Sequence, residues 1–153
     1  MVDIDYDQKW GEALTEAQET AKYLGYRKVT PGCILIGLLR TEDTLAELVL
    51  RNEWVTFENA LKIVPKIDRV SGSRNSSYGD DIPYDNSAVN IVDLAKQSGV
   101  EMEHGYRGPE HLVCGLGMSE EPEVVKMLGL LGTNGSRLND GVRNLLGFPR
   151  TVA

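Results

Sequence analysis

Two short segments of this chain match each other at a constant offset in the sequence. They are Val29–Leu39 and Arg107–Gly117, and each contains a proline-led, mostly apolar run with a glycine. The matching positions are Pro31 with Pro109, Gly37 with Gly115, and Leu38 with Leu116. The members of each pair are separated by the same number of positions along the sequence, and we call this number the repeat offset. An internal repeat constrains the fold more than any single motif, because both copies must adopt the same local structure. The sequence therefore predicts two copies of one structural unit.

The first copy reads as four helices. Apolar residues at three- and four-residue steps predict a helix over Tyr6–Leu24, followed by a stop at Gly25. Thr30 is a suitable N-cap, and Pro31 fits the first position of an almost wholly apolar second helix that ends near Arg40. A third helix, which turns Leu45, Leu48 and Val49 inward, is expected from Asp43 or Thr44, and a fourth is expected from Thr56, with Pro65 kinking or breaking its last turn.

The second copy repeats this plan. Tyr84-Asp85 matches Tyr6-Asp7 at the repeat offset, and helices are expected to open at Gly108–Glu110, at Glu121 and at Asn134 or Ser136. No alternating strand pattern of useful length occurs. The prediction is an all-α fold of two pseudo-twofold repeats of four helices each. It forms a single domain over 1–153, with repeat 1 at 6–68, a linker rich in Ser, Gly, Asn and Asp at 69–83, and repeat 2 at 84–147.

Charge and cysteine usage exclude several classes of function. The net charge of −7 and a pI near 4.8 argue against nucleic-acid binding, including a helical DNA-binding regulator. Cys33 and Cys114 lie inside apolar runs, which predicts buried, reduced thiols. No secretory leader and no apolar run long enough to span a bilayer occurs, so no membrane association is expected. These features predict a cytoplasmic protein, and they do not exclude a plastid stroma, because a transit peptide could have been removed beforehand.

A cluster of chemically capable residues lies at His104, Glu110, His111 and Cys114. His111 and Cys114 are separated by one helical turn, a spacing that permits a metal site or a Cys-His nucleophile on one helix face. A small metal- or Cys-His-dependent hydrolase is therefore the alternative function. Because Cys33 occupies the position of His111 in the other repeat, packing at the helix start is favoured. We expect no catalytic residue, no metal and no cofactor.

Four residues bear on packing and docking. Gly37 and Gly115 lie mid-helix, where glycine costs about 1 kcal/mol, and this predicts a close approach of two helices in each repeat. Trp10 and Trp54 are expected in the core, whereas an exposed Trp would mark an interface. The acidic face of the first helix is expected to be solvated, and docking of a basic partner is the alternative.

At this point the chain resembles a known family. ALTEAQETAKYLGY (13–26), the Pro31–Leu39 segment and GPEHLVCGL (108–116) resemble the N-terminal domain of Clp-type AAA+ unfoldases, whose helix-opening pattern is close to G-T-E-H-[IL]-L-L-G-L. The resemblance covers roughly Tyr6 to Gly147. It implies a non-catalytic module that binds substrates, adaptors, or subunits of a Clp-type unfoldase and peptidase, through the starts of the second and sixth helices and the groove between the repeats.

The resemblance also implies a ligand. In some bacterial members the Glu of each pattern contacts the guanidinium of a phosphoarginine tag, and a helix N-terminus suits the phosphate. Here Gly32 and Cys33 replace Glu and His in the first half, whereas Glu110 and His111 are retained in the second. Proline replaces the Thr in both halves, and Asp7 and Asp85 add negative charge nearby. The partner-binding candidates are Pro31, Gly32, Pro109, Glu110 and His111, with Tyr6 and Tyr84.

An ATPase core is missing from the sequence. No G-x-x-x-x-G-K-[ST] phosphate loop occurs, so this chain does not hydrolyse ATP by the route of the unfoldases that it resembles. It is therefore interpreted either as a fragment of a longer unfoldase or as a free-standing accessory protein. Any phosphoarginine pocket is expected in the second half, around Glu110.

Overall fold

The computed structural model describes residues 5–68 and 82–147. They form eight α-helices and one short pair of strands, which confirms the all-α prediction. Among the described helices, no segment combines the length and the hydropathy that a membrane span requires. The elements are β1 (Asp5–Tyr6), α1 (Gln8–Leu24), α2 (Pro31–Arg40), α3 (Leu45–Asn52), α4 (Phe57–Ile67), α5 (Asn86–Glu101), β2 (Tyr106–Arg107), α6 (Pro109–Met118), α7 (Pro122–Leu130) and α8 (Gly135–Leu145).

Side-chain caps fix most of the helix starts. Thr30, Thr44 and Thr56 each accept a backbone N–H from the first turn of the helix that follows, and Asn134 does the same for α8, as the sequence predicts. The first helix begins at Gln8 rather than Tyr6, because Asp7 caps it and Tyr6 belongs to β1. Pro65 does not break α4, which continues to Ile67. Proline lies there in the last turn, where the missing N–H removes a single hydrogen bond.

The two mid-helix glycines permit close helix contacts. A Cβ on Gly37 would lie 2.6 Å from the carbonyl oxygen of Ala13 and 2.7 Å from the backbone nitrogen of Ala17. In the second repeat, a Cβ on Gly115 would meet the backbone of Ile91 and Ala95, which are the counterparts of Ala13 and Ala17 at the repeat offset. The predicted close approach is thus confirmed for α1 with α2 and for α5 with α6.

The repeats exchange their leading segments. β1 pairs in parallel with β2, with Tyr6 aligned to Arg107, and an isolated parallel bridge joins Val29 to Tyr84. These two pairings are related by the repeat offset, since Tyr84 corresponds to Tyr6 and Arg107 to Val29. The Asp7 N–H donates to the Arg107 carbonyl at 2.8 Å, and the Asp85 N–H donates to the Val29 carbonyl at 3.0 Å. Each repeat therefore holds the segment that precedes the first helix of the other.

The segment between the repeats is anchored at its end. Residues 69–81 of the predicted linker lie outside the described residues. Ile82 is buried, its N–H donates to Gln18 Oε1 at 2.7 Å, and the Pro83 carbonyl accepts the Val29 N–H at 2.8 Å. Ile82 and Pro83 therefore belong to the folded domain. The predicted chain end at Phe148-Pro149 also lies outside the described residues.

The core contains most of the predicted apolar positions, with clear exceptions. Trp10, Cys33 and Cys114 are buried as predicted. Trp54, in contrast, is 81% exposed. It lies two residues after the end of α3, and its own backbone is left-handed, with a φ of 62°. The short helices α3 and α7 bury only one stripe each, so some of their apolar residues face solvent. These are Leu48, Val125 and Leu130.

Candidate functional site

The predicted site residues gather at two helix starts, and most of them are interior. Pro31, Gly32, Pro109 and His111 are buried, and Glu110 is 9% exposed. Because the repeats exchange their leading segments, each of the two tyrosines lies against the repeat to which it does not belong. Tyr6 of repeat 1 lies beside the start of α6, and Tyr84 of repeat 2 lies beside the start of α2. The structure therefore builds each helix start from both repeats.

Histidine caps the start of α6. The Gly108 N–H donates to His111 Nδ1 at 2.9 Å, and His111 Nε2 lies 2.8 Å from His104 Nδ1. Because Nδ1 accepts, a neutral His111 carries its proton on Nε2 and donates it to His104. Burial, and then the nearby His104 and Arg107, lower the pKa of His111 to about 4. His111 is therefore a neutral structural cap at physiological pH, as the packing interpretation predicts.

Glu110 is turned towards a tyrosine of its own site. The Tyr106 hydroxyl donates to Glu110 Oε2 at 2.9 Å, and the Tyr106 ring stacks on His104 with a centroid distance of 5.0 Å. Burial and the hydrogen bond to Glu110 raise the pKa of Tyr106 to about 12, so the phenol keeps its proton. A guanidinium bound at Glu110 would have to share the carboxylate with this phenol.

A different carboxylate closes the start of α2. Thr30 Oγ1 accepts the Cys33 N–H at 3.2 Å and donates to Asp68 Oδ2 at 2.7 Å. A Cβ on Gly32 would lie 2.5 Å from Val64 Cγ1 and 3.2 Å from Asp68 Oδ2. The end of α4 thus covers the position where the family pattern has its Glu. Asp68 was not predicted from the sequence. A signal was available, because its counterpart in repeat 2 is the apolar Leu146 and an acidic residue at such a position is unusual.

The surroundings of Asp68 favour its neutral form. Burial raises the pKa of Asp68 from 3.8 to about 6; the hydrogen bond from Thr30 opposes this shift, and the charges of Asp85 and Glu123 add to it. The folded protein therefore binds this proton more tightly than the unfolded chain does. The stability that protonation provides is complete below the unfolded-state pKa and is lost as the pH rises through about 6.

Replacing Asp68 with Asn is expected to raise the free energy of unfolding at pH 7 by about 1–2 kcal/mol, because the amide oxygen still accepts from Thr30 without a buried charge. At pH 4 the variant and the wild type should be equally stable. Urea unfolding at several pH values between 4 and 7 measures this difference. Asp93→Asn, at an exposed position, is the matched control, and its stability relative to the wild type should not increase between pH 4 and pH 7. A gain for Asp68→Asn that is constant over this pH range would contradict the assignment.

The hydrolase alternative receives no support from the geometry. Both ring nitrogens of His111 are engaged, by Gly108 and by His104, so neither is directed at Cys114. Burial raises the pKa of the Cys114 thiol to about 12 and that of Cys33 to about 11, whereas thiolate is the nucleophilic form. Within residues 5–68 and 82–147, no three His, Cys, Asp or Glu side chains are grouped to hold a metal ion.

Two grooves lie at equivalent places in the two repeats, and sequence reasoning did not predict them. The repeat-1 groove, of about 540 Å³, lies between α1, α2 and α4, and the repeat-2 groove, of about 430 Å³, lies between α5, α6 and α8. The repeat-1 groove is lined by Thr20, Tyr23, Ile36, Leu39, Arg40, Glu42, Phe57 and Leu61. The repeat-2 groove is more polar, because Ser98, Glu101, Ser136, Asn139, Asp140 and Arg143 line it together with Met102, Cys114 and Met118.

Comparison with known proteins identifies the family. The model of the Clp repeat (R) N-terminal domain matches residues 5–147. The chloroplastic chaperone protein ClpC2 of rice is 26% identical over 142 residues, which is 93% of this chain. A ClpA homologue from Cyanidium caldarium, described as the ATP-binding subunit of an ATP-dependent Clp protease, is 28% identical over 148 residues, or 97% of this chain. The chain spans only 15% and 17% of the lengths of these relatives.

Solved structures show the same fold. The N-terminal domain of the chaperone ClpD from Arabidopsis thaliana superposes with a TM-score of 0.77 at 23% identity, covering 96% of this chain and 97% of that one. The N-terminal domain of Hsp104 from Candida albicans gives 0.74 at 15% identity, covering 95% and 94%. These likenesses show the fold, and the family model matches residues 5–147, so this chain belongs to the Clp repeat (R) N-terminal domain family.

Proposed function

We propose that this chain is a non-catalytic interaction module of a Clp-type ATP-dependent unfoldase and protease system. Its partners are substrates, adaptors, or subunits of the AAA+ unfoldase or the Clp peptidase. The family match supports this proposal, as do relatives named as chaperones and as ATP-binding subunits of Clp proteases. The location we propose is the cytoplasm or a plastid stroma, and relatives named chloroplastic support the second of these.

The observation that carries the proposal is Trp54. A left-handed backbone costs a non-glycine residue about 1–2 kcal/mol, and Trp54 has a φ of 62°. The equivalent position in repeat 2 is Gly132, with a φ of 87°. Folding therefore favours glycine at position 54, and an 81% exposed side chain gains little from packing. Trp is one of the residue types enriched at binding hot spots, so a partner surface explains its presence.

The side chain of the residue before Trp54 is bound to the other repeat. Glu53, its neighbour, accepts from the Thr133 hydroxyl at 2.8 Å and from Arg137 Nε at 2.6 Å. These contacts join the end of α3 to the start of α8. An aromatic side chain on a fixed backbone loses less conformational entropy on binding than one on a mobile loop. Trp54 is thus held ready for docking.

Replacing Trp54 with Gly is expected to weaken partner capture strongly while preserving or raising the melting temperature, because it removes the contact and relieves the strained backbone. The measurement is a pull-down from native lysate with the partners identified by mass spectrometry. The wild type should recover a Clp ATPase or peptidase subunit, and Trp54→Gly should recover it at least about tenfold less well. Val125→Ala, which truncates another exposed apolar side chain, should behave as the wild type.

Two results would contradict the proposal. One is a wild-type chain that recovers no Clp subunit in repeated experiments. The other is undiminished recovery with Trp54→Gly, which would leave the exposed Trp without a role in docking. Separately, the phosphoarginine site implied for the second half stays a prediction. It rests on Glu110, whose carboxylate is shared with Tyr106 in this structure.

A further inference from the structure

We propose that the repeat-1 groove binds an extended segment of a partner protein that carries an aliphatic or aromatic residue next to Lys or Arg. This inference rests on the proposed function and deepens it, because it names the chemistry of the partner. It depends on two properties of the groove. One is an apolar half whose aromatic and aliphatic residues are replaced by polar or small residues at the matching positions of repeat 2. The other is an acidic half, formed by a neighbouring trough that shares Arg40 and Glu42 with the groove.

The apolar half is well formed for one large side chain. Ile36 is buried at its base, Leu39 and Leu61 are partly buried, and Phe57 is 37% exposed at its edge. Tyr23 is largely exposed beside them and adds a second aromatic wall. Burying a single Leu or Phe of a ligand here removes apolar surface from water on both sides, which is the main source of affinity for such peptides.

Comparison of the two repeats shows that folding does not require this apolar surface. Both repeats build the same groove from three equivalent helices, and the repeat offset identifies the matching positions. At the five apolar positions of the first groove, repeat 2 has polar or small residues. The pairs are Tyr23 with Glu101, Ile36 with Cys114, Leu39 with Gly117, Phe57 with Gly135, and Leu61 with Asn139. A solvent-facing apolar groove that one copy of the fold lacks is explained by a ligand.

The acidic half supplies the charge preference. A neighbouring trough of about 550 Å³ runs along α1 and shares Arg40 and Glu42 with the apolar half. Its two cations are already paired, since Lys9 lies 3.3 Å from Glu12 and Arg40 Nε lies 3.1 Å from Glu16. In the part of the chain that the structure describes, exposed Glu42 has no such ion pair, so the trough is complementary to one further cation.

Electrostatics also distinguishes between occupants. A second copy of this chain would bring another net charge of −7 against an acidic surface, which opposes association. A short basic-apolar segment of another protein meets the opposite field and is attracted. Because the apolar and acidic halves meet at Arg40 and Glu42, the anchor and the cation of the ligand should be adjacent in its sequence.

The test is fluorescence anisotropy with a labelled decapeptide that has a central Leu-Phe-Arg-Lys in a Gly/Ser background. Control peptides carry Ala-Ala in place of Leu-Phe, or Glu-Asp in place of Arg-Lys, and both should bind at least about tenfold more weakly. Phe57→Ser should weaken binding of the first peptide by about tenfold or more. Leu48→Ser, at a residue of similar exposure (40%) outside the groove, should stay within about twofold of wild type.

Charge variants keep the test valid if an apolar substitution disturbs folding. Glu42→Lys changes an exposed residue, so the fold should persist. It should weaken binding of the Leu-Phe-Arg-Lys peptide, and most strongly at low salt. Asp93→Lys makes the same change of net charge on the exposed surface of α5, away from the groove, and should bind as the wild type does. Melting temperatures verify that each variant is folded.

Several outcomes would overturn the proposal. These are equal binding of the Leu-Phe and Ala-Ala peptides, equal effects of Phe57→Ser and Leu48→Ser, and equal effects of Glu42→Lys and Asp93→Lys. If the protein dimerises and Phe57→Ser abolishes the dimer, the occupant of the groove is a second copy of the chain. If the peptide binds only after residues 70–80 are replaced by Gly/Ser, the occupant is that segment of the same chain. Trp54 does not line the groove. If the peptide fails to bind while the protein still captures a Clp subunit, this inference is wrong and the proposed function stands.

Discussion

Alanine at Gly37 is expected to lower the free energy of unfolding by about 3 kcal/mol. The added Cβ would lie 2.6 Å from the Ala13 carbonyl oxygen and 2.7 Å from the Ala17 backbone nitrogen. Both are backbone atoms of α1, which cannot move aside as the end of a flexible side chain can. Relief therefore requires α1 and α2 to separate, and this would disturb the packing of the buried residues along both helices. Gly115→Ala should cost a similar amount between α5 and α6, for the same reason.

Urea unfolding followed by circular dichroism measures this cost, and the chain offers matched controls. Gly11 in α1 and Gly129 in α7 have no atoms within 4 Å of an added Cβ. Alanine at either position should stabilise the protein by about 0.5–1 kcal/mol through helix propensity. If Gly37→Ala stabilised the protein as Gly11→Ala does, the close helix contact inferred for each repeat would be wrong.

What could be predicted from the sequence is the part determined by local chemistry and by the repeat. The caps at Thr30 and Thr56, the proline starts and the two mid-helix glycines each act within a few residues of the chain or at one helix contact. Their positions follow from propensity and spacing. The repeat offset then carried each prediction from the first repeat to the second. For this reason the number and order of the helices could be predicted.

What could not be predicted depends on contacts between distant segments. The paired strands β1 and β2 are too short for an alternating pattern, and they lie in different repeats, far apart in the sequence. Asp68 reaches Thr30 only because α4 folds over the start of α2. Trp54 looked like a core residue by type, and only its position after the end of α3 exposes it. In each case the tertiary fold overrides the average behaviour of the residue type.

The difference between the two grooves was present in the sequence, but it needed the structure to be recognised. Leu61 and Asn139 are separated by the repeat offset, as are Ile36 and Cys114. Each substitution is ordinary when taken alone. Only the structure shows that these positions line one surface in each repeat. Comparing repeats position by position therefore separates what the common fold requires from what one copy has acquired.

The same comparison predicts a strong coupling between Gly99 and Arg107. Arg107 is 1% exposed, and its Nη1 donates to the carbonyls of His104 at 3.0 Å and Tyr106 at 2.8 Å. A Cβ on Gly99 would lie 2.5 Å from this guanidinium. The first repeat has Ala21 and Val29 at the equivalent positions. The small Gly99 thus makes room for an arginine that the other copy of the fold lacks.

Gly99→Ala and Arg107→Val are each expected to lower the free energy of unfolding by about 2–3 kcal/mol. The first introduces a clash, and the second leaves a cavity and removes two hydrogen bonds to backbone carbonyls. The double variant rebuilds the Ala-Val pair of repeat 1 and fills that cavity in part. It should therefore be more stable than the sum of the single effects predicts, by about 2 kcal/mol. Urea unfolding of the four proteins gives this coupling energy. Additivity within about 0.5 kcal/mol would mean that Gly99 does not serve Arg107, since residues in contact couple and distant ones do not.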